Sequence, residues 1–269
     1  MRVVGKNGER INAIVLAGAL NEGKLKDASP ERWEALIDLN GRPLIRHSID
    51  PLLAAKTIDR IVVVGPVEEL TPVLAGLGVD VIPPTGDMFD NVIVGYKHLV
   101  RTEGRKSKLA LVAAADLPLI TAEVVDGLVQ ACLERGGEAF YPVASRETME
   151  TMFPGTKRTY GTLREGTFTG GNLFVIDGEV LERVAPQAKA LIAGRKNPLK
   201  MAGALGVGFV LRLLLGRLTI SGLEDYVGKK FGFKARAIIA PWAEIGIDVD
   251  KPEDLELVKA YLAGRKTAG

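Results

Sequence analysis

Apolar positions fall along this chain in two rhythms, one continuous and one helical. Mostly apolar runs at 11–17, 61–64, 79–82, 109–115, 139–143, 173–176 and 235–240 read as strands, with Ile14, Val15 and Leu16 continuous. Runs of that kind suit strands covered on both faces. Between them lie stripes at helical spacing: Leu44, Ile45, Ile49, Leu52 and Leu53; Val92, Ile93, Tyr96 and Leu99; Val124, Val125, Leu128, Val129 and Leu133. Residues 68–77, broken near Pro72, and 179–194 also read as helices. The punctuation agrees with this division. Gly41-Arg42-Pro43 opens one helix, Thr121 caps another, and Pro252 with Glu253 and Asp254 starts the last. Proline is at home in a first helical turn, a threonine side chain can accept an early amide, and acids there complement the helix dipole. Strand and helix alternate through the first half. The pattern therefore predicts an α/β fold, a Rossmann-like doubly wound and mostly parallel sheet, in a single domain over residues 1–269.

Three stretches fit the alternation less well. Residues 145–169 read as irregular and polar, with Lys157, Arg158, Tyr160 and Arg164, and 245–250 as a short strand. Residues 201–220, MAGALGVGFVLRLLLGRLTI, approach the length of a membrane span, but Arg212, Arg217 and four glycines interrupt them. The expectation there is a buried or interface helix with snorkelling arginines, within a helical insertion near 186–232. Such a segment would offer a dimer surface or a surface for an apolar acceptor rather than a transmembrane span.

Composition narrows the function. With 35 Lys and Arg against 33 Asp and Glu, no strong field argues for nucleic acid as a partner. The single cysteine, Cys132, excludes an intrachain disulfide framework and points to a reducing cytoplasm and a packed thiol. The start, MRVVGKNGER, has no long apolar core of a secretory signal. His47 and His98 lack Cys or His neighbours at zinc spacing.

Candidate chemistry gathers after the strands. The first run ends at Gly18, followed by a loop carrying Lys24, Lys26 and Arg32. A glycine there lets backbone N–H groups approach a phosphate, while the plain alternative is an ordinary βα turn with solvated lysines. Asp116 closes the fourth strand, where open α/β sheets gather ligands; it reads either as a metal carboxylate or as a turn aspartate. Asp248 and Asp250 share one side of an extended segment, and Asp250 reads equally well as a helix cap. Thr169-Gly170-Gly171-Asn172 offers amides and a side chain to a polar acceptor, or simply turns into a strand.

Four segments in order resemble the MobA-like nucleotidyltransferases: Ala13-Ile14-Val15-Leu16-Ala17-Gly18, Leu39-Asn40-Gly41-Arg42-Pro43-Leu44-Ile45, Ala115-Asp116-Leu117-Pro118-Leu119 and Asp248-Val249-Asp250-Lys251-Pro252-Glu253-Asp254-Leu255. This superfamily includes molybdenum-cofactor guanylyltransferase and sugar- and alditol-phosphate nucleotidyltransferases. The resemblance implies a sheet of the nucleotide-diphospho-sugar transferase type, a bound NTP, Mg²⁺ and a phosphorylated small-molecule acceptor. It implies nucleotide contacts from Ala17, Gly18, Ala19, Asn91, Gly95 and Asp116, and acceptor contacts from Lys157, Arg158, Gly171 and Asn172. The metal would fall to Asp116, Asp248 and Asp250; Lys24, Lys26 or Arg32 of the loop would stand in as the cation, with Lys24 and Lys26 taken as catalytic. One departure is plain: where the family usually carries a Pro-Lys pair, this chain has Trp33 and Glu34. Two other functions remain open on the sequence. A nucleotide-sugar-dependent glycosyltransferase would want carboxylates on both sides of a small residue where this chain has Asp116-Leu117-Pro118. A catalytically weak nucleotide-binding protein would accommodate Glu34.

Overall fold

The computed structural model describes residues 9–103, 107–194, 203 and 205–267; residues 195–202 and 204 of the expected helical insertion lie outside the described residues. Four parallel strands, β1 (Ile11–Leu16), β2 (Ile58–Val64), β3 (Asp80–Ile82) and β4 (Leu109–Ala114), run in the order β3-β2-β1-β4. Beyond β4 the sheet turns mixed. Strand β5 (Ala139–Ser145) is followed by a hairpin of β6 (Gly161–Leu163) and β7 (Gly166–Gly170), then by β8 (Leu173–Asp177) and β9 (Ala235–Ala240). β8 lies antiparallel to β4, with Ala113 opposite Leu173. On one edge of β5, Ala139 and Phe140 pair with β8 while Val143 to Ser145 pair with β7; β9 runs parallel along the other edge. So β7 and β8 are nearly one strand, broken at Gly171 and Asn172. At that break Gly171 N–H donates to Pro142 O at 2.8 Å, and Asn172 N–H to Ile245 O at 2.9 Å.

Helices cover the two faces unequally. On one face α1 (Leu44–Ala54), α2 (Val67–Leu74), α4 (Ala122–Arg135), α5 (Arg146–Met152) and α9 (Pro252–Thr267) bury Leu44, Leu70, Val124, Met149 and Leu255 against Val15, Leu111 and Val175. On the other, α3 (Met88–Glu103) and α6 (Gly178–Gly194) close over Ile14, Val62 and Val112 with Val92, Leu99 and Leu181. The approach of α3 is close because Gly95 has no side chain: a Cβ there would fall 2.7 Å from Ile14 Cγ2. Thr121 caps α4 by accepting from Val124 N–H at 3.3 Å, a contribution of about 1 kcal/mol. Cys132 is buried, and burial pushes its thiol up to about 12, so it packs as a small hydrophobe.

The exceptions are local. Within 145–169, α5 and the β6–β7 hairpin are regular, while 153–160, with Lys157, Arg158 and Tyr160, is irregular as expected; Ser145 caps α5 through Thr148 N–H at 3.0 Å. Of 245–250, Ile245 and Gly246 finish a 3₁₀ helix, Ala243–Gly246, and only 247–250 run on beyond it, pairing with no strand. Leu53 stays 41% exposed, outside the stripe its helix buries. From 201–220, α7 (Val207–Leu214) is helical and α8 (Ile220–Phe231) follows. A small cluster of Leu205, Phe209 and Leu218 seats α7 beside β6, whereas Val207, Leu211, Leu214 and Leu215 remain exposed. The expected burial of this segment thus holds for one face only.

Candidate active site

The cradle begins where β1 ends. The N–H of Ala17 is spent on Val64 O at 2.9 Å, so of the three amides expected to meet a nucleotide this one is committed to the fold. Those of Gly18 and Ala19 donate to no protein group among the described residues. A Cβ on Gly18 would meet Pro84 at 3.8 Å, an ordinary contact, so packing does not demand a glycine there. Open backbone of that kind suits a phosphate at close range. The following loop is fixed at its root. Asn21 N–H donates to Arg32 O at 2.9 Å and Glu34 N–H to Ala19 O at 3.1 Å. The buried Asn21 side chain then ties the tip, donating to Ser29 O at 3.1 Å and Glu31 O at 2.9 Å. Leu25, fully buried, anchors a short 3₁₀ helix, Lys24–Asp27. Lys24 and Lys26 flank it, exposed and without an ion pair among the described residues.

The acids come from both ends of the chain. Ala115 N–H donates to Leu16 O at 3.0 Å, which sets Asp116 beside the cradle. The segment 247–250 then crosses the carboxyl end of β4. Ile247 and Val249 are fully buried, so Asp248 and Asp250 face the other way. Val249 N–H donates to Asp116 O at 3.1 Å. Oδ1 of Asp116 is buried and has no hydrogen-bond partner. Burial, then the charges of Asp248 and Asp250, then that of Glu34, push the Asp116 carboxyl up to about 7. Loss of solvent, followed by Asp248 and Asp254, raises Asp250, with Arg158 and Lys251 opposing. Glu34 is raised by burial and then by Asp250. The start of α9 is closed by Asp254, which accepts from Asp250 N–H at 3.3 Å and pairs with Lys251. The Asp250 side chain accepts from no helix amide among the described residues, so the capping role weighed for it is not filled.

A buried cation faces these acids. Arg158 forms an ion pair with Asp248, the two side chains 12% and 18% exposed, while its Nε and Nη2 are buried without partners. The other expected acceptor residues are disposed differently. Lys157 is exposed, and Asn172 is half-buried at the β7–β8 break beside the segment that carries Asp248. Gly171 serves packing, since a Cβ would lie 3.0 Å from Ile245 Cδ1. Asn91 pins the turn before α3, accepting from Thr85 N–H at 2.8 Å. Gly95 points into the sheet, and its missing side chain is accounted for by Ile14.

The donor set fits a hard divalent cation. It offers carboxylate oxygen only, including one buried oxygen that nothing in the protein satisfies. Among the described residues no three His, Cys, Asp or Glu side chains form a complete metal-holding group. Phosphate oxygens would complete the shell, as is usual for Mg²⁺. Two contributors were not singled out as site residues from sequence. Asn21 is a plain loop residue until its two carbonyl partners are seen. Glu34 had one signal, its place where related chains carry lysine.

Comparison with known proteins agrees with this geometry. The MobA-like NTP transferase domain family matches residues 23–210. A probable molybdenum cofactor guanylyltransferase from Thermococcus gammatolerans is 28% identical over 137 residues, covering 51% of this chain and 68% of that protein. A hypothetical transferase from Thermus thermophilus superposes with a TM-score of 0.77 at 35% identity, covering 91% of this chain and 99% of that one. CMP:2-keto-3-deoxy-manno-octonic acid synthetase complexed with CTP shares the fold, with a TM-score of 0.63 at 12% identity over 96% of this chain and 100% of that one. With its parallel half-sheet, its open cradle and its converging acids, the chain belongs to the MobA-like NTP transferase family and is a nucleotidyltransferase.

Proposed function

We propose that this enzyme moves an NMP group from an NTP to a phosphorylated small-molecule acceptor and releases pyrophosphate. One observation carries the reading: a buried carboxylate oxygen without a partner, on Asp116, lies in the same cluster as a mostly buried arginine, Arg158, whose Nε and Nη2 are unpartnered. Buried polar atoms are almost always satisfied, so such a pair suits a cation on one side and an anion on the other. An oxygen of the acceptor phosphate attacks the α-phosphorus and forms a new P–O bond. The bond from that phosphorus to the bridging oxygen breaks, and pyrophosphate leaves with the electron pair. The acceptor is already largely dianionic near neutral pH, its second pKa being about 6, so no strong general base is required.

The residues then act by placement and charge. The Gly18 and Ala19 amides receive phosphate oxygens, and Lys24 and Lys26 meet the β- and γ-phosphates. Arg158, held in place by Asp248, orients the acceptor phosphate, with Asn172 and Lys157 beside it. Asp116, with Asp248 or Asp250 assisting, would hold Mg²⁺, which would neutralise charge on the transferring phosphate. Asn91 supports the base side indirectly through the turn it pins. A reducing cytoplasm rich in NTP is the setting this reaction calls for.

The test is pyrophosphate release with each NTP, Mg²⁺ and a panel of sugar, polyol and cofactor phosphates. GTP and CTP come first, because the Thermococcus relative is named as a guanylyltransferase and the octonic acid synthetase structure holds CTP. Activity with one pair, abolished in Asp116→Ala, is the expected result. Full activity in Asp116→Ala would overturn the assignment.

A further inference from the structure

The apolar face of α7 has no role in the chemistry above. Val207, Leu211, Leu214 and Leu215 are 63%, 53%, 73% and 62% exposed. At the helical spacing i, i+4, i+7 and i+8 they occupy one arc of about 100°. Phe209 and Leu213 use the opposite arc to seat the helix against Leu163 of β6. Folded chains seldom leave so many aliphatic side chains together in water without a use.

Charge says what the use is. Between Glu182 and Glu224 the sequence carries seven Lys or Arg and no Asp or Glu, within a chain otherwise nearly balanced at 35 to 33. Of these cations, Arg212 and Arg217 are exposed beside the apolar arc, with no ion pair among the described residues. No helix of the described residues is long and apolar enough to cross a bilayer. We infer that this face of α7 lies on an anionic lipid surface, with its aliphatic side chains in the interface and its arginines on headgroup phosphates. A second copy of the chain fits less well. A self-complementary contact would set these cations against their own copies with no carboxylate from the same segment to offset them. An anionic bilayer supplies the counter-charge and the apolar medium together, and an amphipathic helix with basic flanks is suited to that plane. The placement is also orderly with respect to the enzyme. Leu218 braces the β6–β7 hairpin, where Arg164 N–H donates to Leu218 O at 2.9 Å, and Arg158 stands shortly before β6.

The inference stands apart from the nucleotidyl-transfer reading, because its readout uses no nucleotide. The full chain would be sedimented with vesicles of phosphatidylcholine alone and of phosphatidylcholine mixed with phosphatidylglycerol. The expected result is partition onto the mixed vesicles at low salt and release as salt rises. Leu211→Glu and Leu214→Glu should each weaken partition about tenfold or more, and Arg212→Gln about fivefold. Both leucines are exposed, so melting curves should stay at the parent value. If either variant unfolds, Arg212→Gln with Arg217→Gln carries the test alone. No partition at low salt, or equal partition on both vesicles, overturns the inference. So does light scattering that shows a dimer lost in Leu214→Glu without any vesicle binding, which would assign the face to a second copy.

Discussion

The backbone N–H of Val249 donates to the carbonyl oxygen of Asp116 at 3.1 Å. This one bond brings the loop before the last helix onto the end of the fourth strand. With the burial of Ile247 and Val249 it sets Asp248 and Asp250 where their charges reach the Asp116 carboxyl, so the acid cluster is a property of the closed fold.

The raised Asp116 carboxyl gives a sign that can be worked out. Its ordinary value is 3.8, and in the folded chain it is about 7. Below both values the group is protonated in either state and contributes nothing. Between them the folded chain keeps a proton that the unfolded chain releases, so stability falls as pH rises through this window. The full penalty is at most on the order of 4 kcal/mol, reached above about pH 7. Without metal, Asp116→Asn should therefore be more stable than the parent near pH 8 and equal to it near pH 4, by urea denaturation. A variant less stable at both values would contradict this. Mg²⁺ should bind more tightly as pH rises past neutrality, because it competes with that proton.

Arg158 and Asp248 are both mostly buried and depend on each other. Removing one partner of such a pair typically costs about 3–5 kcal/mol, and removing both costs much less. Arg158→Met should destabilise the chain strongly, and Arg158→Met with Asp248→Leu should recover most of the loss. In assays, Arg158→Lys should raise the KM for the acceptor while leaving that for NTP nearly unchanged. An equal rise in both would place Arg158 elsewhere in the mechanism.

How much of this was legible beforehand varies by element. The run at 11–17 named its strand because continuous apolar residues tolerate no other surroundings, and Asp116 stood out because the fourth run stops on it. The α5 helix and the β6–β7 hairpin were hidden in 145–169 because their order depends on pairing with β5 and on Leu218, partners far away in sequence. The segment 245–250 has the composition of a strand, but its hydrogen bonds go to Asn172 and Asp116 instead of a neighbouring ladder. The pairing of Arg158 with Asp248 leaves no local trace, since neither residue's neighbours hint at the other.

Two glycines should separate packing from function. Gly95→Ala drives a Cβ to 2.7 Å from Ile14 Cγ2 and should cost about 1–3 kcal/mol of stability, read from denaturation midpoints. Gly18→Ala meets Pro84 only at 3.8 Å and should leave the midpoint in place while weakening NTP binding at least several-fold, read by calorimetry. Unchanged affinity in Gly18→Ala would remove the phosphate from that loop.

Asn21→Ala should loosen the cradle from beneath. It deletes two hydrogen bonds from a buried side chain to the carbonyls of Ser29 and Glu31. A loss of about 2 kcal/mol is expected, with faster proteolysis between residues 22 and 32. Protection equal to the parent would show that the loop is held by its root alone.

The near-continuity of β7 and β8 has a further consequence. Because only Gly171 and Asn172 separate the two strands, the hairpin is set against the edge of the parallel half by strand rise and not by a slack connection. One residue gained or lost at this joint would shift β8 by one position against β4 and β5 and turn Leu173 and Val175 out of the core.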